Sequence, residues 1–414
     1  TEIYTLSLHY ALPIYYRLLR RRHYWRSVSF DQIAELYTSR LITVFAANIV
    51  NLFAAVYLYK LGYSLIFITL FYAVWYLMKI PFSYLAAKYA AYYGPKHGIL
   101  LANLLRIPSL VAFALVGVIN DHVMIAIAIF GLFQQMSTTL YNMCHMINFS
   151  KVKHIDRAGK EIGRMQQVEK IARVISPLVG GAIASIWSPE ATIILASILF
   201  VFSAVPLFRT VEPTVTRAKL RFRGFPWRLA IPSLVAETVV GFDFVASGMG
   251  WALFATLFVF SGLGEGVYAA LGSIASLGVL VSMVAAWVFG RVIDKRKGDV
   301  LLVFGTVVNS ILHVFRPFVQ TPPAVIATNI TSETATSAYA MPFTRVLFDV
   351  ADTSGFRISY MMMVEMMLNL GAALGCCVLA VALMTIDQKN AFMVLFFVAA
   401  AYELIMLIVS RAAR

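Results

Sequence analysis

A small set of ionisable side chains falls where water is scarce. Glu333, Asp243, Glu365 and Glu169 each lie within a long apolar stretch, as do Lys79, Arg106, Lys170 and Arg173. A charge in such a place needs a counter-ion, a cavity or a proton, so each marks a candidate site. Glu333 is the sharpest of the four carboxyls. It is about eleven residues from the nearer end of its stretch, roughly 16 Å deep at 1.5 Å per residue. A carboxyl so placed can carry a proton across a barrier or form half of a fixed ion pair. The earlier part of the chain holds Lys79, Arg106, Lys170 and Arg173 against Glu169 alone. The later part holds Glu237, Asp243, Glu333 and Glu365, and the sequence offers no basic residue at comparable depth. This imbalance suits salt bridges that break and reform between two moving parts, or an anionic solute group docking on Lys79 or Arg173. Glu169 and Arg173 are four apart and pair on one helix face, which leaves Lys79 the freer cation. Snorkelling accounts for Arg40 and Arg106 without a functional role.

Uncharged polar residues gather in two apolar stretches. Residues 122–147 carry Gln134, Gln135, Ser137, Thr138, Thr139, Asn142 and His145; residues 323–346 carry Asn329, Thr331, Ser332, Glu333, Thr334, Thr336 and Ser337. Neither stretch could face lipid all round, so a shared water-filled cavity lined by Gln135, Asn142, Asn329 and Glu333 is expected. Asn48, Asn51 and Asn369 add amides. Ordinary hydrogen bonding between helices, about 0.6 kcal/mol each, would account for any one of them. The histidines show no metal-ligand spacing. Cys144, Cys376 and Cys377 lie in apolar runs and read as packing residues rather than a disulfide framework. No phosphate-binding loop or nucleophile elbow is found. The expectation is a protein that is not an enzyme, has no metal and no cofactor, and draws its power from a gradient.

The elements that must hold these residues are helices. The chain of 414 residues is 60% hydrophobic and 13% charged, with a mean hydropathy of +0.79. Its apolar runs reach about twenty residues, the length that crosses a bilayer, and the weak alternation of a β-barrel is absent. Twelve spans are expected, six (36–59, 64–86, 98–119, 122–147, 164–187, 190–208) before a basic linker at 210–228 and six (229–260, 264–289, 299–319, 323–346, 357–384, 390–410) after it. The corresponding domains are 31–209 and 229–414, preceded by a cytoplasmic segment at 1–30. Residues 1–15 resemble a translated sequencing adapter and are set aside. The net charge of +14 sits in the breaks between runs, which argues against nucleic acid. Only Lys60, Arg316, near the end of the 299–319 run, and Lys389 are assigned to the loops of one side. This asymmetry places both termini in the cytoplasm of a multi-pass protein of the plasma (inner) membrane.

The chain repeats itself. Asp156, Gly159, Ile162, Met165, Val168 and Glu169 recur in the same spacing as Asp352, Gly355, Ile358, Met361, Val364 and Glu365. Ala34-Glu35 and Leu61-Gly62 recur as Ala236-Glu237 and Leu263-Gly264. Six spans separate the copies, so the repeat is parallel, about an axis along the membrane normal. FGRVIDKRKGD, with Gly290, Asp294 and Arg296, resembles the loop motif of the major facilitator superfamily. The matching loop of the first half keeps Gly94 and Lys96, but Ala87 and Ala91 replace the expected Gly and Asp. SPLVGG (176–181) is similar to part of that family's antiporter motif, and small residues there also allow close helix approach. The resemblance implies an all-α membrane protein of twelve transmembrane helices in two pseudo-symmetric six-helix bundles. It further implies a monomer in the lipid bilayer that moves a small-molecule substrate by alternating access, with the loop residues as gates. Proton-coupled efflux is slightly favoured over uptake. The alternative is a receptor-like or scaffold protein of the same fold that does not transport.

Overall fold

The computed structural model describes residues 30–51, 54–116, 123–152, 158–208, 220–264, 266–294 and 298–407. The first 29 residues, most of the linker, Arg296, and the side chains of Asn51 and Asp294 lie outside the described residues. Everything periodic is helical. In the first half run α1 (Phe30–Asn51), α2 (Ala54–Lys60), α3 (Leu65–Tyr93), α4 (Pro95–Leu115), α5 (Val123–Val152), α6 (Ala158–Ile186) and α7 (Pro189–Ser203). In the second run α8 (Trp227–Val245), α9 (Trp251–Phe258), α10 (Gly266–Asp294), α11 (Gly298–Phe315), α12 (Pro322–Ser354), α13 (Arg357–Thr385) and α14 (Gln388–Glu403). The α1–α2 pair makes one crossing. So do α8 and α9, joined by a π-helical turn at Ala246–Gly250.

Among the described residues ten helical stretches are long and apolar enough to cross a membrane. The other two crossings are α6, of 29 residues, and α12, of 33. They have the length but are more polar, because they present polar side chains to other helices rather than to lipid. Local chemistry sets the ends. Gly94 ends α3 and opens α4 at φ 95°, a backbone region that suits glycine; Pro95 follows at the first helical position. Ser188 caps α7 through the backbone N–H of Ala191. Asp387 caps α14 through that of Asn390, at 3.2 Å, a bond that holds its carboxyl below the usual carboxylate range.

The halves meet along two seams, α3 against α13 and α6 against α10. The second helix of each half thus meets the fifth of the other, which is what a two-fold axis along the membrane normal produces. Glycines set the closest approaches. A methyl on Gly180 would lie 2.7 Å from the Ile49 carbonyl oxygen of α1, and one on Gly181 3.0 Å from that of Tyr268 in α10. The SPLVGG glycines are therefore at backbone contacts, one of them across a seam. Between α8 and α13, methyls on Gly241 and Gly371 would collide with the carbonyls of Leu368 and Thr238.

Two apolar clusters flank a polar middle layer, and each draws on both halves. One lies at the end of the molecule away from the linker, with Ile68, Phe113, Phe130, Trp251, Tyr268 and Phe392. There Lys60 also donates to the carbonyl of Gly264 at 2.9 Å. The other lies at the linker end, where the rings of Phe149 and Phe348 are 5.9 Å apart. Apolar side chains from both halves thus meet on either side of the polar layer.

Candidate functional site

The α3–α13 seam carries the first group of charges. Lys79 of α3 is buried and makes no hydrogen bond or ion pair among the described residues; its Nζ lies 5.5 Å from the Tyr76 ring centre. Two charges face it, Glu365 of α13, which attracts it, and Arg106 of α4, which repels it. Glu365 accepts from Asn369 at 3.2 Å and from Asn142 of α5 at 3.5 Å, so an amide from each half reaches one carboxylate. Glu237 of α8 is electrostatically coupled to the same carboxylate. Its Oε2 is buried without a hydrogen-bond partner.

The α6–α10 seam carries the second. Lys170 of α6 crosses it, donating to Ser282 of α10 at 2.8 Å and to Ser337 of α12 at 2.7 Å. Ser337 in turn donates to the carbonyl of Glu333, one turn earlier. The Glu333 side chain is half-buried. Its carboxyl makes no ion pair among the described residues, and it lies over Gly278 of α10. Asn329 donates to the Ile274 carbonyl beside it at 3.2 Å. Lys170 and Arg316 are the cations that sense Glu333.

The second half also holds a polar network. Asp243 accepts from Ser247 at 2.6 Å, from Tyr339 at 2.9 Å and from His313 Nε2 at 2.9 Å. Arg316 donates to His313 Nδ1 at 2.9 Å, to Ser247 at 2.8 Å and to Ser332 at 2.8 Å. A guanidinium only donates, so Nδ1 of His313 must accept, which puts the imidazole proton on Nε2, facing Asp243. Asn309 links the group to Glu403 of α14 at 3.3 Å. Asp243, His313 and Glu403 offer ligand atoms within 4.8 Å of one another, a proximity that residue spacing did not disclose. Arg316 holds the cationic position there, with its guanidinium 5.4 Å from the Trp251 ring and 5.8 Å from that of Phe396.

Three expectations are corrected. Arg316 is not a loop residue: it is 1% exposed, turned inward by a 3-10 turn after α11, and it supplies the second half with the deep cation the sequence appeared to lack. Arg40 does not snorkel; it pairs with Glu169 at 2.7 Å, its guanidinium 5.5 Å from the Tyr141 ring. Arg106 is buried too, bonded to Ser137 at 3.0 Å and Thr138 at 2.8 Å. Two of the polar residues of α5 therefore serve α4. The expected pairing of Arg173 with Glu169 is present at 3.7 Å, so Glu169 is committed to two guanidinium groups.

The remaining candidates are spread out. Gln134 accepts from Ser109 at 3.2 Å. Gln135 is fully buried with neither amide atom bonded. His145 is buried between the rings of Tyr141 and Phe149, 5.8 and 6.3 Å away. Asn48 bonds back to the Val44 carbonyl of its own helix. Asn142 meets Glu365, whereas Asn329 and Glu333 border α10, so the four expected cavity residues occupy different contacts. Of the gating residues, Lys96 pairs with Glu35 at 3.5 Å, Gly290 faces open space, and Ala87 and Ala91 are buried in α3. Lys170, counted among the buried charges but given no role of its own, is the cation that crosses the seam. It lies beside Glu169, on a different part of the helix circumference.

Twelve crossings enclosing a polar layer define a multi-pass membrane transport protein. The family model for the Major Facilitator Superfamily matches residues 36–376, and the chain belongs to that superfamily. No match to a curated protein sequence is found. Among solved structures, the chain is similar to a POT family transporter in complex with 5-aminolevulinic acid: TM-score 0.72, 13% identity, 94% of this chain and 99% of that one covered. A POT family transporter in complex with a thioalcohol-conjugated peptide gives a TM-score of 0.69 at 13% identity, over 92% of this chain and 96% of that one. A bacterial homologue of the iron transporter ferroportin, inward-facing, gives 0.64 at 11% identity, over 93% and 100%. At these identities the likeness is one of fold.

Proposed function

We propose that the protein is a proton-coupled secondary transporter that exports a small solute by alternating access, with residues 31–209 and 229–414 rocking about the two seams. The observation that carries this reading is the set of mid-membrane carboxyls at or beside the seams that make no ion pair among the described residues: Glu333 across Gly278, and Glu365 held by amides from both halves. A carboxyl with no permanent partner has a proton affinity that depends on what faces it, and rocking changes what faces it. Lys170 and Lys79 are the cations that would approach and withdraw. The likeness of SPLVGG to the antiporter motif supports exchange over symport. The working form is a monomer in the plasma (inner) membrane with both termini cytoplasmic, which the distribution of Lys and Arg supports.

The test is flux into proteoliposomes with and without an imposed pH gradient, across cationic, zwitterionic and anionic solutes. Accumulation that follows the gradient is expected. Flux that ignores the pH gradient for every solute would refute proton coupling.

A further inference from the structure

A recess of about 610 Å³ lies against the last turns of α3, lined by Tyr84, Leu85, Lys88, Tyr89, Tyr92 and Tyr93 and closed by Leu220, where the chain re-enters from the linker. The size falls within the roughly 300–1,000 Å³ of small-molecule sites. Its place in the sequence is distinctive. The inward face of these turns is all alanine, with Ala86, Ala87, Ala90 and Ala91 buried. The outward face carries the bulky residues, and Tyr84, Leu85, Lys88, Tyr92 and Tyr93 are exposed. Two ring contacts fix the lower wall: Tyr93 lies 4.7 Å from Tyr89 and 4.7 Å from Tyr92.

The same outward stripe continues up the helix as Leu70, Val74 and Leu77, all exposed, so α3 shows one face that changes from aliphatic to aromatic to charged. The change comes at the right depth. About twenty residues of helix cross the hydrocarbon layer, so a helix that begins at Leu65 leaves that layer near Leu85, and Lys88 falls one turn further, among the headgroups. Aromatic residues are common at this level, but a plain aromatic belt does not enclose a recess with a lysine in it. Lys88 makes no hydrogen bond or ion pair among the described residues. The charge around it has one sign. No Asp or Glu occurs in residues 36–120 or 213–236, and exposed Arg221 and Arg223 follow Leu220. Glu35, the carboxyl that precedes the first of these stretches, is paired with Lys96. The segments of this chain that adjoin the same end, 17–26 and 209–219, are themselves rich in arginine and lysine, and their charge would oppose Lys88. The occupant that fits is an anion with an apolar tail.

We propose that this recess binds the headgroup of one anionic phospholipid. The phosphate meets Lys88, the headgroup lies among the tyrosines under Leu220, and an acyl chain runs along Leu77, Val74 and Leu70. A zwitterionic lipid of the same chain length fills the same volume, but its ammonium brings a positive charge into a basic recess. A single lysine at the membrane surface, worth about fivefold in affinity for an anionic lipid, sets the size of the discrimination.

The test is native mass spectrometry of the full chain released from detergent, which reads bound lipid and oligomeric state in one spectrum. The probes are dioleoyl phosphatidylglycerol, dioleoyl phosphatidylcholine and glycerol phosphate. One phosphatidylglycerol per chain should bind at least fivefold more tightly than phosphatidylcholine, and glycerol phosphate should bind far more weakly than either. Lys88→Gln should lower the phosphatidylglycerol affinity about fivefold and leave that of phosphatidylcholine unchanged, whereas Lys88→Arg should keep the preference. Leu220→Trp, which fills the recess and leaves every charge in place, should exclude the lipid. Lys389→Gln, at the opposite end of the molecule, should change nothing. Equal binding of the two lipids would reduce the recess to an acyl-chain groove, and glycerol phosphate binding as tightly as the lipid would make it a site for a soluble anion. A dimer formed in place of the lipid adduct would make it a contact between copies. Each of these overturns the proposal, as does a phosphatidylglycerol preference that survives both Lys88→Gln and Leu220→Trp, or one that Lys389→Gln lowers as much.

Discussion

At the scale of single residues, the molecule separates charges that are spent from charges that are available. Glu169 lies between Arg40 and Arg173, and Asp243 lies among Ser247, Tyr339 and His313 beside Arg316. These are structural assignments with a cost on removal. Arg316→Gln leaves Asp243 and Glu403 buried without their cation, and deleting one partner of a buried pair costs about 3–5 kcal/mol. The variant should lose folded protein, or several degrees of melting temperature in detergent, and an unchanged melting curve would contradict the assignment. Glu333 behaves differently because its carboxyl makes no ion pair among the described residues. Glu333→Gln should keep the protein folded and solute exchange intact while abolishing accumulation driven by a pH gradient. Continued accumulation against the gradient would remove Glu333 from the coupling scheme. Sequence showed which residues were deep but not which were partnered. Arg316 follows an apolar run and precedes a proline, so it read as a loop. Only the turn after α11 brings it inward. The unbalanced carboxylates were the legible hint, since four of them required a cation somewhere.

At the scale of elements, sequence and structure agree best where hydropathy is strong. Ten stretches declare themselves by composition; of the other two crossings, α6 is recognised by length and by the motif it shares with α13, and α12 by length alone. What composition hides is contact. The α8–α13 pair is set by Gly241 and Gly371, whose missing side chains let two backbones touch, and nothing in a hydropathy profile reports that distance. Gly241→Ala and Gly371→Ala must push the helices apart, at about 1–3 kcal/mol each by the usual cost of overpacking. The double variant should cost less than the sum, since one displacement accommodates both methyls. Thermal unfolding of the three variants measures this directly, and strict additivity would show that the two contacts are independent. The π-helical turn at Ala246–Gly250 was equally invisible. It adds a residue to the seventh crossing just where Ser247 must reach both Asp243 and Arg316.

At the scale of the whole molecule, the repeat predicted the seams: second helix against fifth, twice over. It did not predict that apolar side chains of both halves would meet on both sides of the polar layer. Phe149 and Phe348 close the linker end. Replacing both with cysteine, in a background lacking Cys144, Cys376 and Cys377, and bridging the two thiols with a bis-methanethiosulfonate reagent should arrest flux, and reductant should relieve it. A crosslinked protein that still transports would mean that this end need not open.

The carboxyl of Glu333, which makes no ion pair among the described residues, has a consequence for energetics across the bilayer. An exchanger that returns one proton for one neutral solute moves a charge on every turn, and the membrane voltage, worth about 2.3 kcal/mol per charge at 100 mV, adds to the pH gradient that drives it. One that returns a proton for a monovalent cation moves no net charge and is blind to that voltage. A potassium diffusion potential set with valinomycin therefore reads the charge of the cargo from the accumulation ratio alone.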